Sequence, residues 1–396
     1  MSARPPVTDW ANDFDHLDSR WIEDPYPIWD RLRHSCPIAH TERFMGVYFP
    51  VRYQDIRTIA YDTEHFSSRR IIVREERPPV LPPAPPITSD PPEHRAQKTV
   101  LLPAFTPDAI ARHKPRTREI CRELIKDFSG RNGCDGAADY AQEIPVRVIA
   151  SMLGISERAG EQFRKWIHEV LELGITDQAV LLRAIGEMDA FFAHEIAQRR
   201  AAASNDLISY LVDARIDGQA LSDEHIIGTL KLLLIAGIDT TWSAIGSCLW
   251  HLATHPDDRR RLVNAPELMP TAVEELLRAY APVTMAREIV KETQISGCDF
   301  KPGEMVLLSF PAANRDPAMF PNADRVIIDR PENRHAAFGL GIHRCLGSNL
   351  ARMEITVALE EWLAAIPEFV LGPDQPVRWS QGTVRGPRQL PIVFRS

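Results

Sequence analysis

Residues 338–347 read Phe-Gly-Leu-Gly-Ile-His-Arg-Cys-Leu-Gly, and they decide how the rest of the chain is read. They put Cys345 on a glycine-rich loop directly before a stretch with helical spacing. In that stretch Leu346, Leu350, Met353, Val357, Leu359 and Trp362 form an apolar stripe, with Arg352, Glu354, Glu360 and Glu361 largely off it. Backbone N–H groups and the positive end of a helix dipole both favour a thiolate over a thiol. Gly339, Gly341 and Gly347 allow the backbone to turn tightly and to approach a bulky flat group. An arbitrary free cysteine is more often a buried small hydrophobe.

Composition bounds the answer. The chain has 396 residues, 44% of them hydrophobic, enough for a large core. No linker, low-complexity run or repeat divides it, so one domain over 1–396 is expected. The formal charge of −8 gives no global attraction to nucleic acid. The amino terminus lacks the apolar core of a signal peptide, and the longest apolar run, 232–238, is too short to span a bilayer. Six scattered cysteines without a Cys-x-x-Cys pair argue against zinc ribbons, covalently attached haem and cysteine-ligated iron–sulfur clusters. A cytoplasmic protein without membrane contact is the expectation.

Along the chain, helical spacing at 25–33 gives way to a strand at 45–51 and resumes at 51–62. The stretch 69–92 carries Arg69, Arg70, Arg74 and Arg77 and is rich in proline, which predicts a long irregular loop. Helical signals dominate from 93 to 250. Short extended runs follow at 294–295 and 305–310, helix returns at Cys345, and 377–394 reads as strands. The fold class is mainly α with a small β part.

Ser222 is a good helix N-cap and Pro256 a stop, which predicts a helix about 50 Å long at ~1.5 Å per residue. Inside it lies Ala236-Gly237-Ile238-Asp239-Thr240-Thr241. Glycine there costs ~1 kcal/mol against alanine, and a buried carboxylate costs more unless paired. On the residues alone, a local kink with threonine bonding back to its own helix also accounts for it.

The cysteine loop matches Phe-x-x-Gly-x-His/Arg-x-Cys-x-Gly at Phe338, Gly341, His343, Cys345 and Gly347, and so resembles the haem-ligand signature of the cytochrome P450 family. The long-helix motif Ala/Gly-Gly-x-Asp/Glu-Thr-Thr is matched throughout 236–241. The resemblance implies that family's fold, with haem between the long central helix and the cysteine-loop helix, and Cys345 as the iron ligand. It implies that Ala236 and Gly237 lie over the distal haem face, the glycine making room for dioxygen. Thr240 would steady that dioxygen and Asp239 would feed protons inward. Phe338, Gly339 and Gly347 would shape the proximal loop.

Thr271-Ala-Val-Glu274 has capping-box form, and Glu275 and Arg278 then lie three apart on one helix face. By resemblance they pair with Arg330 as a structural brace. Asp90-Pro-Pro-Glu-His94-Arg95-Ala-Gln-Lys98 resembles the family helix that meets the haem propionates, except that lysine stands where arginine is usual. His94, Lys98, Arg287 and His343 are therefore the expected propionate contacts. Lysine keeps the charge but loses the planar fork. Gly339-x-Gly341 mimics part of a dinucleotide fingerprint, but the third glycine and a preceding strand are missing, which excludes nicotinamide or flavin binding there.

The implied activity is that of a soluble, bacterial-type monooxygenase carrying haem b, which inserts one oxygen atom of O2 into a hydrophobic substrate by hydroxylation or O-dealkylation. With no flavin or iron–sulfur segment, electrons would come from a separate ferredoxin and its NAD(P)H-dependent reductase. Docking is expected near Arg95, Lys98, Arg334 and Arg344, with the enzyme a monomer. The rivals are a hydrogen peroxide-driven peroxygenase on the same fold, disfavoured by the intact Asp239-Thr240 pair, and a non-catalytic haem sensor. Leu232, Ile235, Ala236, Val283 and Met285, with the loop 71–86, are expected to line the substrate pocket. The arginines of that loop could anchor a carboxylate, though such a loop is more often just solvated.

Overall fold

The computed structural model describes residues 4–76, 81–128, 130–373 and 375–395. Its longest element is the helix Asp223–Thr254, the long helix. Ser222 caps it as expected, its Oγ accepting the His225 N–H at 3.2 Å. By length and composition this helix could cross a membrane, but the relevant stretch is mostly buried inside the protein. It packs against the helix Ser348–Ala365, here the cysteine helix, and against Glu143–Leu153 and Gln178–Ala201. Their buried faces merge into one large apolar core.

Beside the helices lies a five-stranded sheet: β1 (Ile38–Thr41), β2 (Val47–Pro50), β3 (Phe66–Ser67), β4 (Thr284–Ile289) and β5 (Met305–Ser309), in the order β1-β2-β5-β4-β3. The β4–β5 pair is antiparallel with Arg287 opposite Val306 and Met285 opposite Leu308. Alternation sends Arg287 and Met285 to one face of β4, which is how a cation and an apolar wall reach the same region.

The sequence reading needs four corrections here. Strand begins at Thr284, ahead of the run expected at 294–295, because β4 is hidden among residues that also line a cavity. The cysteine helix begins at Ser348, with Gly347 as its N-cap, and not at Cys345. Glu354 and Glu361 are buried on that helix, not turned off its apolar face. Thr271 caps nothing: its helix runs Met269–Ala279, and its Oγ donates to the Leu268 carbonyl at 2.9 Å.

Candidate active site

The cysteine loop is held from three sides. The Cys345 N–H donates to the Phe338 carbonyl at 2.7 Å, closing the loop on itself. Gly341, at φ +70°, lies so close to the helix Tyr53–Tyr61 that a Cβ would stand 2.2 Å from the Ala60 carbonyl oxygen, so only glycine fits. Arg352 lies over the Phe338 ring at 4.3 Å and grips Glu274 through two bonds of 2.6 and 2.8 Å. His335 adds a contact to Glu274 at 3.0 Å. Burial would raise the Glu274 pKa, but these partners hold it at about 2. This second clamp escaped the sequence reading, where Glu274 passed for part of a capping box.

Of the six cysteines only Cys345 is exposed, although protein surrounds it. Its surface faces an internal slot lined by Thr240, Ala236, Ala244, Phe338, Gly339 and Leu350, among others. Burial pushes its thiol pKa up, against the Gly347 N–H and the charges of Lys98, Arg352 and Arg344. Among the described residues no group of three His, Cys, Asp or Glu side chains could hold a metal ion.

Across the slot, the Thr240 hydroxyl donates to the Ala236 carbonyl at 2.7 Å, the back-bonding that the sequence allowed, within an uninterrupted helix. Ala236 is exposed to the slot. Gly237 also lines it, yet its missing Cβ points at Ile149, whose Cδ1 would be 2.6 Å away. The glycine thus serves close helix packing in this chain.

Asp239 differs from its neighbour. It is fully buried and lines neither cavity next to Thr240. Its Oδ1 lies 2.8 Å from Arg388 Nη2, without the alignment of a good hydrogen bond. Arg388 sits over the Trp242 ring at 4.2 Å and donates to Glu172 at 2.7 Å and to Ser243 at 3.1 Å. Glu172 in turn lies 3.7 Å from His168, which is more than half exposed. Burial raises the Asp239 pKa, opposed by Arg388 and reinforced by Glu172. Sequence gave no sign of Arg388, which arrives from the distant C-terminal strands.

Arg287, His94 and His343 also line the slot, with Asp90 the nearby anion that acts on Arg287 and His94. Arg287 is buried and makes one hydrogen bond, to the Ala286 carbonyl, with no ion pair among the described residues. His94 is buried and its Nε2 has no partner. The His343 ring lies 4.4 Å from that of His94, and its Nε2 meets the Ser68 hydroxyl at 2.8 Å. Burial first, then Arg287 and His94, push the His343 pKa down to about 2. An orphaned imidazole nitrogen beside an unpaired buried guanidinium fits a group bearing carboxylates. Lys98 lines the same slot, and its ammonium donates to the carbonyls of Ile342 and Arg344 at 2.6 and 2.9 Å.

The expected brace is present. Glu275 receives two bonds of 2.8 Å from Arg278, one of 2.9 Å from Arg330 and one of 2.8 Å from the Ile327 N–H. Asn333 adds a fifth at 3.1 Å. Burial raises the Glu275 pKa, and these donors together outweigh it and hold the carboxyl below its ordinary value.

Comparison with known proteins decides the family. Residues 177–366 match the family described as Cytochrome P450. The mycinamicin IV hydroxylase/epoxidase of Micromonospora griseorubida is 36% identical over 376 residues, covering 92% of this chain and 94% of that protein. The chain belongs to the cytochrome P450 family. The vitamin D(3) 25-hydroxylase of Pseudonocardia autotrophica is 32% identical over 397 residues and covers 98% of both. A mutant of P450 EryK in complex with erythromycin B superposes with a TM-score of 0.85 at 32% identity, over 94% of this chain and 97% of that one. This P450 is accordingly a haem-thiolate monooxygenase with the family's mainly helical fold, using O2, an organic substrate and redox partners.

The slot of this P450 opens into a cavity of about 720 Å³. Leu232, Ile235, Ala236, Val283 and Met285 all line it, together with Thr240. Phe44, Leu171, Met188 and Val384 complete the wall, and no local sequence signal marks them. The loop arginines are already engaged. Arg74 is buried and donates to the Val170 and Gly174 carbonyls, Arg70 lies 3.6 Å from Glu288, and Arg69 lies 3.9 Å from Asp90. Arg77, with 78–80 of the expected pocket loop, lies outside the described residues.

Proposed function

We propose that Cys345 is the thiolate that would hold the iron of a haem b in this monooxygenase, and that the substrate is a bulky, largely apolar molecule. The observation that carries the reading is that Cys345 and Thr240 line one slot, which is also lined by His94, Arg287 and His343, with the His94 Nε2 unpartnered and Arg287 without an ion pair among the described residues. Those three would receive the propionates, and Phe338, Gly339 and Gly347 would shape the loop beneath the ring. When bound, the haem would supply the reductive activation of dioxygen, with two electrons from the redox partners and two protons, so that one oxygen atom enters a C–H bond and the other leaves as water.

The chain's own residues do the rest. Apolar side chains of the 720 Å³ cavity exclude water and orient the substrate over the slot. Thr240 presents a hydroxyl there that can exchange its bond to Ala236 for one to an incoming oxygen or water. Asp239 is the proton reservoir behind it, and it must leave Arg388 to act. Glu275, Arg278 and Arg330 hold the proximal segment in place.

Arg69, Arg70 and Arg74 line the cavity, but each already has a partner there, Asp90, Glu288 and the Val170 and Gly174 carbonyls respectively, which disfavours an acid-anchoring role. Relatives acting on mycinamicin IV and vitamin D(3) favour a large ring system or a long rigid skeleton. Electrons come from a ferredoxin and its NAD(P)H-dependent reductase, docking on exposed Arg95, Arg334 and Arg344. The protein acts as a single-domain monomer in the cytoplasm, with no flavin or iron–sulfur cluster of its own.

With ferredoxin, reductase and NAD(P)H, turnover under isotopically labelled dioxygen should place one labelled oxygen in the product. A label arriving only from peroxide, with no turnover on dioxygen, would favour the peroxygenase reading instead.

A further inference from the structure

Lys98 stands at a position where an arginine fork was expected to reach a propionate, and its ammonium does something else. The helix Glu93–Leu101 points this side chain at the underside of the cysteine loop. There Nζ takes the Ile342 carbonyl at 2.6 Å and the Arg344 carbonyl at 2.9 Å. The second of these belongs to the peptide that joins Arg344 to Cys345. Two short charge-assisted bonds across 244 and 246 residues of chain are the only side-chain bonds to these two carbonyls found among the described residues. An ammonium has three donors around a point charge, so it can straddle two carbonyls.

We propose that Lys98 is a positioning residue for the axial thiolate: it clamps the loop on either side of His343 and sets a fixed positive charge beside the Cys345 sulfur. The inference rests on Cys345 being that thiolate. Two consequences follow from the geometry. Fixed carbonyls keep the Cys345 backbone, and so the sulfur, in one orientation toward the slot. A positive charge near the sulfur withdraws electron density from it, which raises the reduction potential of the iron it would hold. Haem binding itself is left to His94, Arg287 and His343, so it does not require Lys98.

The test uses the haem-loaded protein as wild type, Lys98→Gln and Lys98→Arg, with His94→Gln as the comparison. Resonance Raman spectra separate the roles, because the iron–sulfur stretch reports on the loop and the propionate bending modes report on the edge. Lys98→Gln should shift the iron–sulfur stretch, lower the reduction potential and speed loss of the thiolate-ligated carbonyl complex about tenfold, the effect of losing one charge-assisted bond. It should leave the propionate modes where they are, and Lys98→Arg should restore most of the potential. His94→Gln should do the reverse, moving the propionate modes alone.

If Lys98→Gln moves the propionate modes and leaves the iron–sulfur stretch and the potential unchanged, Lys98 is a propionate ligand and the clamp is wrong. Should Lys98→Gln retain no haem, a potential for Lys98→Arg far from wild type would likewise overturn it. A wild-type carbonyl complex without thiolate character would instead overturn the reading of Cys345 itself.

Discussion

Thr240 and Asp239 are neighbours in the chain with opposite surroundings. The threonine faces the slot and spends its hydroxyl on a bond to its own helix, whereas the aspartate is sealed against Arg388. Thr240→Ala should leave haem and substrate binding in place and uncouple NAD(P)H consumption from product, measured as product formed per NAD(P)H oxidised; unchanged coupling would remove the hydroxyl from the relay. Arg388→Met should cost about 3–5 kcal/mol, because it strands a buried carboxylate. Adding Asp239→Asn should recover part of that loss, as a double-mutant cycle in denaturant would show. The motif 236–241 was legible because its residues are consecutive. Arg388 and the Lys98 contact were not, since each joins segments far apart in the chain, and nothing local marks either.

Among the elements, the helix Met269–Ala279 anchors the proximal side through two adjacent carboxylates. Glu275 binds Arg278 and Arg330, and Glu274 binds Arg352 of the cysteine helix. The first pair could be read from three-residue spacing and family resemblance. The second could not, because Glu274 also satisfied a capping-box pattern whose helix start lay three residues off. Glu354 and Glu361 were misread for a related reason: the cysteine helix is buried almost all round, so periodicity could not tell a surface face from a second buried one. Glu275→Gln should destabilise the fold by several kcal/mol, because it leaves buried guanidiniums unpaired, and the fraction of haem held by thiolate should fall with it.

Glu274 gives a pH signature. Its folded pKa of about 2 lies below the ordinary value of 4.5, so its stabilisation is complete above 4.5 and is lost as pH falls toward 2. Acid unfolding of Glu274→Gln should therefore be shallower than wild type across that window. Parallel slopes would show that the clamp is not formed in solution.

In the molecule as a whole, mainly helical layers place one cysteine and one threonine on opposite walls of a slot, and the cavity beyond it sets what can be oxidised. Its size and apolar walls predict low-to-high-spin optical shifts with macrocycles or sterols and weak responses to small acids. A strong shift with a small carboxylate would contradict that. Exposed Arg95, Arg334 and Arg344 predict a ferredoxin reduction rate that falls steeply with salt. The helical class and the order of motifs were legible in the sequence, because each motif is short and local. The far wall of the cavity was not, since Phe44, Leu171, Met188 and Val384 are ordinary apolar residues brought together by folding alone.

Everything above turns on what the Cys345 sulfur binds. The most direct measurement is the optical spectrum of the reduced, carbon monoxide-treated protein, purified as wild type and as Cys345→Ala. A red-shifted Soret band in the wild type that disappears in Cys345→Ala is the predicted result. An unshifted band in the wild type, or a red-shifted band that survives the substitution, would contradict the assignment of Cys345 as the haem thiolate.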